Sequence, residues 1–147
     1  MRTAGKFMKK ILLTTDCSES SMHAAEFALK IAKHFGSEIA VIYVIDNMIL
    51  KEISKIYEKH KLEEEIKNNV EKCLNYIVKS AKMERLKAYS ILVEGQPHDQ
   101  IVRYAESLKA DIIVIGSKER RGINRIFKGS VAERVIEYAP CPVLVIR

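Results

Sequence analysis

The chain has 147 residues, 48% of them hydrophobic and 30% charged, with a formal net charge of +6. That length and balance fit one globular domain with a sizeable core and exclude a disordered chain. No apolar run approaches the roughly 20 residues that a membrane-crossing helix needs.

The opening residues 1–8 are basic, and no apolar stretch of an export signal follows them. They read as a disordered leader or a remnant of expression, which leaves residues 9–147 as a single cytoplasmic domain. The first predicted strand is Ile11–Leu13, followed by Thr14-Thr15-Asp16. A helix comes next, with apolar Ala24, Ala25, Ala28, Leu29, Ile31 and Ala32, and it stops at Gly36. Ile39–Ile45 is the second strand. No Gly or Pro occurs from Ser37 to Glu94, and apolar positions between Ile49 and Ile77 recur at steps of three and four, as one long helix or two abutting ones. Ala88–Val93 is the third strand; Gly95-Gln96-Pro97 then breaks the chain, with Pro97 suited to the first turn of a helix carrying Ile101, Val102, Ala105 and Leu108. The fourth strand, Ile112–Ile115, empties into Gly116-Ser117-Lys118-Glu119-Arg120-Arg121-Gly122. Ser130 and Glu133 form a capping-box pattern at the start of the last helix, which ends before Pro140, and Val143–Ile146 is the fifth strand.

These strands are mostly unbroken Ile and Val runs, as expected where a parallel sheet is buried on both faces. Their alternation with helices predicts right-handed crossovers and a doubly wound, five-stranded parallel sheet with helices on both faces. Ligands of such sheets bind beyond the carboxyl ends of the strands, where the strand order reverses. Thr14–Asp16, Val44–Asp46 and Gly116–Ser117 are the ends to inspect. The final segment, Pro142–Arg147, is predicted at a sheet edge; pairing with the same strand of a second copy makes a two-fold homodimer.

The loop after the fourth strand carries the most specific chemistry. Glycines and a following helix start can aim backbone N–H groups and the helix dipole at a phosphate. Five cations, Lys118, Arg120, Arg121, Arg125 and Lys128, stand there against one acid, Glu119. Structural readings compete at each position: a tight turn at Gly116, an ordinary cap at Gly129-Ser130, a cap at Asp16, and core packing at Val44. Cys17, Cys73 and Cys141 are odd in number, far apart and without a CxxC pair, so they are expected as reduced thiols, Cys73 in the core and Cys141 as a packed small side chain. The four histidines lack ligand spacing, so no metal site is expected, and His98 reads as solvent-facing at a helix start. No nucleophile–base pair or Walker A sequence is present. The positive charge is interleaved with acids, as in Lys59–Glu65, and the basic loop has Phe127 as its lone aromatic, which argues against nucleic acid.

Several segments taken together resemble the universal stress protein family over about Lys9 to Arg147. They are Lys10–Asp16 with Ser18, Val44-Ile45-Asp46, Glu94–Pro97, Ala110–Ser117, Gly129–Val135 and Pro140–Val145. The resemblance implies a Rossmann-like fold of the adenine nucleotide alpha hydrolase-like type, with strand order 3-2-1-4-5. It further implies a stress-response module that binds ATP, with Mg²⁺ as a possible companion, and that hydrolyses it slowly or not at all. The ATP-binding members share Gly, two residues, Gly, nine residues, Gly, then Ser or Thr. Here Gly116 and Gly129-Ser130 match, and Glu119 takes the place of the second glycine. By resemblance, Asp16 would contact the ribose or base, the Val44 backbone would face the adenine, and Gly116, Ser117, Gly129 and Ser130 would hold the phosphates. Thr14, which stands where the family usually has Pro, and Thr15, Lys118, Gly122 and Val131 complete the expected nucleotide-binding set. The implied partners are a second copy, the adenine nucleotide and an unidentified protein. The alternative is a nucleotide-independent interaction module in which Glu119 closes the loop.

Overall fold

The computed structural model describes residues 7–56, 58–117 and 130–147; Lys118, Glu119, Gly122 and Gly129 lie outside the described residues, as do residues 1–6 of the predicted leader. The described elements are β1 (Lys10–Thr14), α1 (Glu19–Phe35), β2 (Glu38–Asp46), α2 (Asn47–Ile53), α3 (Lys59–Met83), β3 (Ala88–Gly95), α4 (Pro97–Leu108), β4 (Ile112–Gly116), α5 (Val131–Tyr138) and β5 (Val143–Ile146). The strands form one parallel sheet in the order β3-β2-β1-β4-β5, which is the predicted doubly wound arrangement.

Successive side chains of a strand point to opposite faces, and this divides the core in two. Ile11 and Leu13 pack with Ala24, Ala25, Ala28 and Ala32 of α1 and with Val70, Leu74 and Ile77 of α3. Leu12 packs on the other face, with Ile101 and Ala105 of α4 and Val135 of α5. The unbroken-run reading holds for β1 and for most of β2 and β4. It fails at β3, where Tyr89 and Ser90 are exposed, because an edge strand is only partly covered. β5 is the other edge, and Ile146 is its one buried residue.

The Gly- and Pro-free stretch resolves into two helices. Asp46 caps α2 by accepting from the Met48 N–H at 2.8 Å. The chain leaves the helix at Ser54, whose hydroxyl donates to the Lys51 carbonyl at 2.6 Å and competes with continued helix. At the opposite end of the sheet, Asp111 Oδ2 accepts from the Lys9 and Lys10 amides at 2.7 and 2.9 Å and ties the start of β1 to the start of β4.

The expectation of three reduced thiols is corrected. Cys17, in the loop between β1 and α1, is disulfide-bonded to Cys73 of α3, with their Cα atoms 6.2 Å apart and a sequence separation of 56. The helical stripe that made Cys73 look like core also aims it at the β1–α1 loop. Closing a loop of that length removes on the order of 4 kcal/mol of chain entropy from the unfolded state. Cys141 is the free cysteine among the described residues. Burial and the charge of Asp111 push its thiol pKa up against the opposing effect of a hydrogen bond with the Ile113 backbone.

The alanine stripe of α1 lets that helix approach the sheet closely, and the approach is tightest at Gly116. A Cβ added there would sit 2.8 Å from the Ser20 carbonyl oxygen and 3.1 Å from the Ser21 Cα. These are backbone atoms that cannot swing aside, so the glycine is required by packing rather than by a turn. Gly116→Ala is expected to destabilise the protein by about 1–3 kcal/mol, read as a fall of several degrees in the thermal midpoint.

Candidate functional site

The central strand is the first to stop at the carboxyl end. Its pairing with β2 ends at Thr14 opposite Ile42, and its pairing with β4 ends at Leu13 opposite Val114. β2 continues to Asp46 and β4 to Gly116. The strand order also reverses at β1, since β2 and β3 lie on one side and β4 and β5 on the other. A notch therefore opens above the end of β1, between the projecting ends of its neighbours.

Its floor is the β1–α1 loop. Thr14 and Thr15 are buried, and the Thr15 N–H still donates to the Ile42 carbonyl at 3.1 Å. Thr15 Oγ1 lies 3.0 Å from Ser21 Oγ and accepts from the Cys17 N–H at 3.0 Å. Thr15 thus shapes the loop from below, and Thr14 is the buried last residue of β1. Asp16 is exposed at the lip, and its Oδ1 accepts from the Ser18 N–H at 3.0 Å. Ser18 caps α1 by accepting from the Ser21 N–H at 3.3 Å, so the capping alternative for Asp16 belongs to Ser18. Between them Cys17 adopts φ 63°, a left-handed conformation that side-chain-bearing residues seldom take. Tyr43, on the adjoining strand, has its phenol pKa raised first by burial and second by the Asp16 carboxylate.

On the β2 side, Val44 packs its side chain against the core of the second face and pairs with Val93 of β3. Its backbone serves the notch. The Ile42 carbonyl points to β1, so alternation turns the N–H and C=O of Val44 the same way, two residues past the last β1 pair. One donor and one acceptor therefore face the notch side by side.

On the β4 side, the Ser117 N–H donates to the Ile146 carbonyl at 2.8 Å, so its backbone belongs to the sheet. Its side chain does not. Ser117 is 4% exposed, and its Oγ has no hydrogen-bond partner among the described residues. A buried hydroxyl left so costs about 1–3 kcal/mol and offers a ready contact for a polar ligand atom.

Ser130 caps α5, its Oγ accepting from the Glu133 N–H at 3.1 Å as the capping pattern predicts, and Val131 is the first, exposed residue of that helix. The short link from Tyr138 to Val143 places the end of α5 at the amino end of β5, and so its start at the carboxyl end of the sheet. Thr14, Thr15, Asp16, Val44, Gly116 and Ser117 thus gather around one notch. Sequence reasoning missed Tyr43 and the Cys17–Cys73 bond beside it; no spacing rule links cysteines so far apart. Among the described residues no group of three or more His, Cys, Asp or Glu is placed to hold a metal.

The profile of the universal stress protein family matches residues 8–147. Universal stress protein MJ0531 of Methanocaldococcus jannaschii is 38% identical over 147 residues, covering 100% of this chain and 86% of that protein. The solved structure of MJ0577, from the same organism, superimposes with a TM-score of 0.76 at 33% identity over 95% of this chain and 96% of that one. A universal stress protein from Archaeoglobus fulgidus, solved in complex with dAMP, shares the fold with a TM-score of 0.65 at 23% identity over 95% of this chain and 98% of that one.

The Ser117 hydroxyl, without a partner among the described residues, makes a simple prediction for the ligand-free protein. Ser117→Ala removes a buried polar atom while keeping the backbone bond to Ile146, so the thermal midpoint is expected to stay level or rise. A fall equivalent to about 2 kcal/mol or more in a melting experiment would show that the hydroxyl already has a partner in the fold.

Proposed function

The chain belongs to the universal stress protein family, and from that premise we propose that it is a homodimeric regulatory module that binds an adenine nucleotide, ATP, with little or no hydrolysis. The observation that carries the reading is the notch above β1. The Val44 N–H and C=O match the acceptor and donor on the edge of adenine. In this reading Asp16, exposed at the lip, would accept from ribose hydroxyls, and the buried Ser117 hydroxyl would donate to a phosphate oxygen. The Archaeoglobus relative solved with dAMP supports an adenine nucleotide in this fold.

Phosphate binding is assigned to Gly116, Ser117, Ser130 and Val131 together with Lys118, Gly122 and Gly129, where the excess of cations over Glu119 favours an anion. Mg²⁺ would accompany the phosphates. Among the described residues no base is paired with a nucleophile, and the proposal assigns none. In calorimetric titration, ATP is expected to bind one site per chain and raise the thermal midpoint, by about 2.7 kcal/mol of added stability at a hundredfold excess over Kd. Asp16→Ala and Ser117→Ala are expected to weaken binding about fivefold to tenfold each. Saturating ATP with neither heat nor a shift in melting would remove the reading. Glu119, in the family's glycine position, favours the second reading, a nucleotide-independent interaction module; it predicts that Glu119→Gly gains ATP binding the natural chain lacks.

For the dimer we propose antiparallel pairing of the outer edges of two β5 strands across a two-fold axis. Ile146 accepts from Ser117 and Pro142 from Ile113, so the even-numbered positions of β5 face β4 and Val145 presents its N–H to the open edge. Val145→Pro deletes that outward donor and leaves the β4–β5 bonds in place. Sedimentation is expected to show a monomer for this variant and a dimer for the parent; a dimer in both would place the interface elsewhere.

A further inference from the structure

We propose that the Cys17–Cys73 disulfide is a redox-operated clamp on the lip of the notch, and that its reduction by a dithiol frees the β1–α1 loop from α3 and lowers nucleotide affinity. The affinity part rests on the adenine-nucleotide reading given above; the loop part stands on the fold alone.

The two sulfurs belong to very different pieces of the molecule. Cys73 sits on α3, anchored on the sheet by Val70, Leu74 and Ile77. Cys17 sits in a four-residue connection between Asp16 and Ser18, the two residues whose hydrogen bond shapes the lip. The bond therefore fastens the most ligand-proximal turn to a rigid helix. Its partial exposure at both ends leaves it within reach of a solvent-borne thiol, unlike a staple sealed in the core.

The turn has reason to move once released. Cys17 is held at φ 63° without being glycine. Hydrogen bonds anchor the turn on either side, at Thr15 to β2 and at Ser18 to the first turn of α1, while the ties across Cys17 itself include its N–H to Thr15 Oγ1 and the Ser18 N–H to Asp16 Oδ1, each 3.0 Å. A residue kept in the left-handed region relaxes when what over-determines it is removed, and here that relaxation shifts Asp16 next to it. The third cysteine does not interfere. Cys141 packs on the opposite face of the sheet from Cys73, so exchange stays confined to the one pair.

The chemistry balances as ordinary thiol–disulfide exchange. The dithiol supplies two electrons and two protons, the Cys17–Cys73 S–S bond becomes two S–H groups, and the dithiol closes to its own disulfide. A disulfide acceptor runs the step backwards.

The test uses the full chain, oxidised or treated with dithiothreitol under native conditions, and Cys17→Ser and Cys73→Ser as separate variants without the bond. Thiols titrated after unfolding are expected to rise from one to three on reduction. Amide exchange is expected to quicken at residues 15–21 and stay slow at 70–77, and the Kd for ATP to rise about tenfold. Both variants should match the reduced protein whether or not dithiothreitol is present. Three thiols in the oxidised sample, or one that persists under native dithiothreitol, would overturn the clamp. So would loop exchange, or an ATP Kd, that is equal in the two states. If neither state binds ATP while loop exchange still follows the redox state, the nucleotide reading fails and the clamp stands.

Discussion

The notch at the carboxyl end of the sheet depends on the central strand ending before its neighbours. β1 leaves the sheet at Thr14, held to β2 by one further bond from the Thr15 N–H, while β2 and β4 run on. That mismatch is enforced from below by packing. α1 must start almost at once and lie close on the sheet, and it does so by presenting alanines to the core and its first-turn backbone to Gly116. A larger residue at either place would lift α1 and shift the loop that forms the floor of the notch.

Around that notch the polar groups divide into those the fold consumes and those it leaves for something else. Thr15, Ser18 and Ser21 satisfy one another and the loop amides. The Ser117 amide and the Ile146 carbonyl close the sheet. The Val44 N–H and C=O extend past the last β1 pair, and the Ser117 hydroxyl has no partner among the described residues; they flank the point where strand order reverses. The family relationship of the chain is what gives this division its chemical interest.

Much of the fold was legible because strands buried on both faces must be unbroken Ile and Val runs, which marks β1, β2 and β4 plainly. The edges were harder: β3 mixes Tyr89 and Ser90 into an apolar run since water covers part of it. Nothing in composition separated α2 from α3: no Gly or Pro marks the break, and the Ser54 hydroxyl that turns back on the Lys51 carbonyl there looks in the sequence like any surface serine. Gly116 was recognisable as a special position, yet its reason was not, since the obstacle is the Ser20 carbonyl of a helix nearly a hundred residues earlier. The Cys17–Cys73 pair was read the wrong way for the same reason: bonding between distant residues depends on proximity that only the folded chain supplies.

The most direct test of the central claim is a residue-resolved map of amide shifts during ATP titration. Binding in the notch predicts shifts concentrated at residues 14–18, 43–46, 116–117 and 130–131, with the Val44 amide among the largest. Shifts absent from these segments, or confined to β3 and the outer face of α3, would contradict it.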